Sequence, residues 1–567
     1  MPEKTLLEAL QYWTRTLGDA PAFIFRHSRH GRHVLTWNKL YTLSGRFAAI
    51  LRERAVSRGH LVVNTLTNSP ERVVSELAIL MSGAASVNGQ CLLADGSDLL
   101  RTLRVSRAAA ILVDPDVPDS PWNVLKHHVT VGDDDTVTSE SLPDLRKAFF
   151  IRRLEGKGKG DLFGHLETCT DWYLADDVTP DDAMMVFTTS GTTGFSKLLV
   201  YTHGTYMTYV ESTDDTTKSF LPKQETVFNI APLGWIGGFL GGTIVRGSTR
   251  VLCDVRAAGI PEDMPEFVWD SLVQEKCRVT YFSPKYLAQV AELANQRGDS
   301  QRAPSEAEFE RSSDSAARAK HTLGTFVLAG FPVTRPLVKA ALAVSSSVAI
   351  MYAATDFGML SGMVVQDWTD YVDHDTGPPL TNVQVKIVSQ QDEDIQLPVD
   401  QLGLILVKRP VFPRYLNDPE ASAAILTSDG FIRTGDVGRL DQRGHLIVEG
   451  RGSDAIMRGH YIFYPAWLET RICACPGVRH VVIVGVPDPD VIEELCACVV
   501  LESDDVTLKE VREFVERDIV VKEDDPLSPR PRYYLRFESF PRTSTDKPNR
   551  KVIKKQAAHM LGLVEGS

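Results

Sequence analysis

Residues 188–197 read TTSGTTGFSK, a short stretch crowded with groups able to hold an anion. Thr188, Thr189, Ser190, Thr192 and Thr193 offer hydroxyls. Gly191 and Gly194 let successive backbone N–H groups turn toward one ligand, and Lys197 closes the segment with a mobile positive charge. That combination suits a polyphosphate. It is not the GxxxxGK[ST] of a P-loop ATPase, because Ser196 stands where that motif needs its second glycine. A flexible linker of similar composition would have polar flanks. Here the flanks, AMMVF before and LLVY after, are apolar and strand-like, so the loop is expected to be anchored at both ends.

The surrounding pattern supplies such a frame. Strand signals at 61–66, 111–114, 227–232, 279–282, 326–332 and 348–356 alternate with helical spacing at 40–54, 97–106 and 205–212. A further helix is expected from Ser69 as N-cap and Pro70 at the first helical position to about Ser82. This alternation predicts an α/β layer structure with mostly parallel sheet. Three strand ends, at Ser283-Pro284, in FVLAGFP and in VAIMYAATD, carry small or polar residues, as at a ligand crevice. Ahead of them in the chain, Gly237, Gly238, Gly241 and Gly242 are expected to leave room for an apolar ligand, with Leu233, Trp235 and Phe239 as apolar walls.

Elsewhere the sequence predicts less chemistry. His27, His30 and His33 fall in the basic turn RHSRHGRH and are expected at a solvated hairpin tip. Residues 132–135, 156–160 and 296–320 are polar, glycine-rich or charged, and are expected to be poorly ordered surface segments. The pairs Cys473/Cys475 and Cys496/Cys498 are read as small core residues and not as a metal site, since their spacing departs from the usual CxxC.

At 567 residues the chain is too long for one core, so a large and a smaller domain are expected. Lysine plus arginine number 61 against 74 acids, a net charge of −13 that argues against nucleic acid or an anionic membrane as partner. Neither a secretory signal nor a peroxisomal SKL is read at the termini, and the uncharged run 229–245 is too short and glycine-broken for a membrane span. A cytoplasmic protein is expected.

TTSGTTGFSK, LAGFP, MYAATD, FIRTGDVGRLDQRGHLIVEGR and PRTSTDK follow one another in the order found in the acyl-adenylate-forming (AMP-dependent synthetase/ligase) superfamily, which the chain resembles over nearly its whole length. The resemblance implies a large N-terminal domain of packed sheets and helices (1–450) and a small mobile α+β domain (451–567), with a hinge near Ser453. It implies ATP, Mg²⁺ and coenzyme A as co-substrates and cofactor, and a small carboxylic acid as substrate. Residues 188–197 would hold the β- and γ-phosphates, Gly330 and Phe331 would line the adenine pocket, and Tyr352 would lie on the adenine face. Thr355 would contact the α-phosphate and Asp356 the metal, while Asp436 would hold the ribose and Arg451 would add a second ribose or phosphate contact. Trp235, Gly237, Gly238 and Phe239 would form the acyl pocket, and Lys547 would bridge the acid and the α-phosphate.

The chain departs from the family pattern at several positions. Asp356 stands for the usual glutamate, Ser196 for a proline, Ser453 for the hinge aspartate or lysine, and Asp546 for the glycine before the catalytic lysine. Met457 and Gly459-His460 displace the lysine and glycine expected near the pantetheine tunnel. The expected activity is that of an ATP-dependent carboxylic acid–CoA ligase for a medium-chain or aromatic acid. The alternatives are an adenylating enzyme with another acceptor, such as a separate carrier protein, an amine or an oxygen, or a silent nucleotide-binding relative.

Overall fold

The computed structural model describes residues 4–27, 31–89, 96–117, 120–151, 162–189, 197–212, 223–253, 264–282, 284–296, 323–409, 414–458, 461–519, 530–543 and 547–563. It is a mixed α/β protein with a large N-terminal and a smaller C-terminal domain. Among the described residues, two large sheets build the first. One runs in the order Gly358–Val365, Ser347–Ala354, Thr325–Ala329, Val279–Tyr281, Thr226–Asn229, Thr249–Cys253, Pro21–His27, Gly31–Thr36. Its inner pairs are parallel and only its two edges are antiparallel. The other runs Arg414–Tyr415, Lys197–Thr202, Ala183–Thr189, Ala85–Asn88, Leu61–Asn64, Ala110–Val113, Lys147–Phe150.

Between these strands the helix Pro70–Met81 is buried along its entire length. Ser69 caps it by accepting from the Arg72 N–H, with proline next, as the sequence predicts. Burying a whole helix strands its charges, so Arg72 and Glu76 pair at 3.0 Å with almost no exposure. The helix Ser97–Ser106 also matches its expected bounds.

A four-stranded antiparallel sheet, Gln384–Val388, Gly403–Lys408, Ile432–Leu440 and Leu446–Arg451, follows the two large ones. A three-residue turn, Gly452–Asp454, then leads into the strands Ile456–Arg458, Tyr461–Phe463, Val478–Asp488, Ile492–Leu501 and Tyr533–Arg536 of the C-terminal sheet. Cys496 and Cys498 lie buried inside one of these strands and Cys475 is buried too, whereas Cys473, the last residue of the helix Pro465–Cys473, is exposed and is no core residue. No helix of the described residues is long and apolar enough to cross a membrane.

Two expectations are corrected. His33 is not solvated: it packs between Phe25 and Phe163, at 6.4 and 5.9 Å, and burial lowers its pKa. Residues 132–135 form the tight turn of a two-stranded hairpin, fastened by ion pairs from Arg54 to Asp135 and from Lys147 to Asp134. His30, residues 156–160 and residues 297–320 lie outside the described residues.

Candidate active site

The anion loop springs from a hairpin. Ala183–Thr189 and Lys197–Thr202 are antiparallel, with Lys197 opposite Thr189 and Leu198 opposite Thr188. A P-loop, by contrast, leads from a strand into a helix. Ser190, Gly191, Thr192, Thr193 and Gly194 lie outside the described residues, but both ends of the loop are fixed. Thr188 Oγ1 accepts from Asn88 Nδ2 at 2.8 Å, and the Lys197 ammonium rests 4.8 Å from the centre of the Tyr415 ring.

A second cluster forms where the four-stranded sheet meets the large one. Asp436 and Arg451 are direct cross-strand partners, and Arg451 Nε lies 3.0 Å from Asp436 Oδ1. Arg451 also donates to the Thr434 carbonyl at 3.0 Å. Tyr352, on Ser347–Ala354, donates its hydroxyl to the other oxygen of Asp436. Burial raises the Asp436 pKa, with Arg451, Tyr352 and Lys547 acting the other way. Burial works against the Arg451 guanidinium, but Asp436, Tyr352, Asp356 and Asp454 outweigh it and hold its pKa above the ordinary value. These interactions bring Asp436, Arg451, Asp356 and Lys547 into one electrostatic neighbourhood.

Thr355 and Asp356 follow the same strand and are pinned from behind. Tyr201 Oη donates to the Thr355 carbonyl at 2.9 Å, Arg409 donates to the Phe357 carbonyl, and Tyr415 Oη donates to Asp356 Oδ1 at 2.6 Å. Gly330 adopts φ +84°, a left-handed conformation that suits glycine, and the Tyr281 hydroxyl would lie 4.0 Å from a Cβ there. Phe331 is half-buried against the apolar cluster behind the large sheet.

The segment carrying Trp235 is held almost atom by atom. Arg250, fully buried, reaches the carbonyls of Asn229 (3.0 and 3.1 Å), Ala231 (3.2 Å) and Gly238. Asn68 donates to Ile230 and Ala231 at 3.3 and 3.1 Å and accepts from Leu233 at 2.8 Å. Asn229 closes the loop on itself through Gly237 and Ala231, both at 2.9 Å. Trp235, half-buried, lies within this tethered segment. Burial pushes the Arg250 pKa down to about 9, and among the described residues no carboxylate is paired with it.

The expectation that these glycines leave room holds at two of them and is corrected at Gly238 and Gly241. A Cβ at Gly237 would meet nothing within 4 Å and one at Gly242 only the Tyr206 hydroxyl at 3.9 Å, but at Gly238 it would lie 2.0 Å from the Pro232 carbonyl, and at the neighbouring Gly234 2.0 Å from Asn88 Oδ1. Gly241 is equally crowded, 2.6 Å from the Tyr206 ring. These three glycines therefore permit close backbone approach and give no free volume. Phe239 is likewise a core residue, edge-on to Phe187 and Tyr206 at 5.5 and 5.3 Å.

Lys547 comes from the C-terminal domain. Its pKa is lowered by desolvation and then by Arg451, with Asp436 opposing, although more than a third of the residue remains open to solvent. At the domain junction the Ser453 hydroxyl donates to Asp454 at 3.3 Å, and Asp454 is held by Arg550 at 3.1 Å.

Two sequence profiles account for this arrangement. That of the AMP-binding enzyme matches residues 10–416, and that of the AMP-binding enzyme C-terminal domain matches residues 468–547. The chain belongs to the AMP-binding enzyme family. Members of this family are adenylate-forming ligases, and a salicylyl-CoA synthase / salicylate adenylyltransferase from a Streptomyces species is 26% identical over 521 residues, 89% of this chain and 85% of that protein.

Among solved family structures, o-succinylbenzoate CoA synthetase from Bacillus subtilis, in complex with its acyl-adenylate intermediate, superposes with a TM-score of 0.75 at 20% identity, covering 96% of this chain and 97% of that one. ATP-bound MatB from Rhodopseudomonas palustris gives 0.74 at 20% identity over 98% and 99% of the two chains. The apo form of MatB gives 0.65. Arg250, Asn68, Asn88 and Tyr415 are the site residues that sequence reasoning missed. The excess of buried polar side chains around 229–238 becomes visible only in three dimensions.

Proposed function

We propose that the protein is an ATP-dependent carboxylic acid–CoA ligase acting on a medium-chain or aromatic acid. The observation that carries this reading is the pairing of Arg451 with Asp436 at 3.0 Å, a pair within electrostatic reach of Lys547 from the C-terminal domain, with Asp356 acting on Arg451 as well. Attack of a carboxylate on a triphosphate brings anion to anion, so catalysis rests on positive charge and positioning and needs no general base.

In this reading a carboxylate oxygen of the acid bonds to the α-phosphorus and the bond to the β-phosphate breaks. Pyrophosphate leaves and an acyl-adenylate remains. The sulfur of coenzyme A then bonds to the acyl carbon, AMP departs and the thiol proton is released. Thr188, Thr189, the loop 190–194 and Lys197 hold the β- and γ-phosphates. Tyr352, Gly330 and Phe331 border the adenine, and Asp436 with Arg451 takes the ribose hydroxyls, since a carboxylate accepts two hydrogen bonds at once.

Lys547 neutralises the meeting of acid and α-phosphate, and Thr355 steadies the latter. Asp356 and the Thr355 hydroxyl are hard oxygen donors of the kind Mg²⁺ takes, and Mg²⁺ when bound would neutralise phosphate charge. The tethered Trp235 loop walls the acyl pocket, and its half-buried tryptophan favours an apolar acid. Family relatives named for salicylate and 4-coumarate support an aromatic one. The domain boundary belongs at Gly452–Asp454, where one sheet ends and the next begins, with Ser453 as pivot.

Pyrophosphate release across a panel of acids, with and without coenzyme A, tests the proposal. The expected result is acid-dependent release with a thioester formed only when coenzyme A is present. Release without thioester refutes the CoA acceptor, and no release with any acid refutes the ligase.

A further inference from the structure

We infer that Tyr415 is a positioning residue that holds Asp356 and Lys197 apart and ready, one for the cation and the other for the phosphates. The inference rests on the reading of the site as one for MgATP. Tyr415 belongs to a two-residue strand, Arg414–Tyr415, added at the edge of the sheet beside Lys197–Thr202, where it lies opposite Leu199. This places its ring beside Lys197 and its hydroxyl at the end of the neighbouring sheet. The residue is buried, its hydroxyl donates to Asp356 Oδ1 at 2.6 Å, and the Lys197 ammonium lies 4.8 Å from its ring centre. One side chain thus touches both charged groups.

Each contact has a chemical consequence. A carboxylate with one oxygen occupied presents the other in a fixed direction, and Asp356 has only a short stem with which to find its ligand. On the other side, the ring face offers the ammonium an electrostatic resting place.

A lysine and an aspartate flanking a polyphosphate site are prone to pair with each other, and such a pair would remove the cation's ligand and the phosphates' counter-charge together. Among the described residues no ion pair joins Lys197 to Asp356. Each instead meets a different part of Tyr415, Lys197 the ring and Asp356 the hydroxyl.

The test is isothermal titration calorimetry of ATP with the full-length chain over a series of Mg²⁺ concentrations, each variant being checked by thermal melting. Tyr415→Phe keeps the ring and removes the tether. The Mg²⁺ concentration needed for half of the tightening should rise about tenfold, while affinity at saturating Mg²⁺ stays within about twofold. Tyr415→Leu removes the ring as well, and affinity at saturating Mg²⁺ should also fall, by about fivefold.

A merely structural tyrosine would lower the melting temperature without moving the Mg²⁺ midpoint. An unchanged midpoint in either folded variant overturns the inference, and the leucine variant keeps the test open if the phenylalanine variant does not fold. A leucine variant with unchanged affinity at saturating Mg²⁺ removes the lysine half. A wild-type chain that binds no ATP at any Mg²⁺ concentration refutes the ligase reading and this inference with it. Wild-type binding with an unmoved variant refutes this inference alone.

Discussion

His203, the first residue after the strand that leaves the anion loop, ties that strand to the N-terminal helix in a pH-dependent way. Its Nδ1 accepts the N–H of Leu6, the first residue of the helix Leu6–Leu17, at 3.3 Å. The ring is buried, so its pKa falls from 6.5 to about 4, with Asp182 and Glu8 pulling weakly the other way. A folded-state pKa below the unfolded one means that the neutral ring's contribution is complete above pH 6.5 and is lost as pH falls toward about 4. The full difference is about 3 kcal/mol, and about 2 kcal/mol of it disappears between about pH 7 and about pH 5.

The loss should show as undocking of Leu6–Leu17, whose Leu6, Leu7, Leu10 and Trp13 are buried in the core. Hydrogen exchange of this helix, corrected for the intrinsic pH dependence of exchange, reads its opening free energy directly. His203→Gln retains an acceptor but takes no proton, so its opening free energy should stay flat over the same range. A variant that loses as much stability as wild type would show that the titrating group lies elsewhere.

Three further outcomes are expected. Lys547→Ala should slow adenylate formation by at least about a hundredfold while sparing thioester formation from supplied acyl-adenylate, and equal losses in both half-reactions would contradict its role. Asp436→Ala should weaken ATP binding by about tenfold or more, measured by calorimetry, because it removes the proposed ribose acceptor and the carboxylate that Tyr352 and Arg451 share. Gly238→Ala sets a Cβ 2.0 Å from the Pro232 carbonyl, so it should destabilise the protein by about 1–3 kcal/mol and raise the KM for the acid more than that for ATP. An unchanged melting temperature would show that the loop can relax.

The sequence made the frame legible where one local rule dominates. Ser69 and Pro70 fixed a helix start, and periodicity fixed Ser97–Ser106 to the residue. The motifs likewise pointed to Asp436 and Arg451, which the register then set side by side. What stayed hidden depends on contacts distant in the chain. Tyr415 meets Asp356 across 59 residues and sits in a strand too short for any periodicity. Arg250 reads as a polar residue in an apolar strand, and its four backbone contacts emerge only when 229–238 folds over it. Gly238 and Gly241 misled, and Gly237 and Gly242 did not, because small size fits an open pocket and a tight approach equally well, and only the neighbouring atoms distinguish the two.

Asn88 touches two segments to which the proposal gives different tasks: it donates to Thr188 just before the loop 190–196, and its side-chain oxygen lies against Gly234, next to Trp235. Anyone wishing to reprogram acid choice by transplanting residues 229–238 from another ligase would be moving one wall of a shared joint. The graft should take only if Asn68, Asn88 and Arg250 travel with it. Otherwise a change of diet would also disturb the handling of the triphosphate.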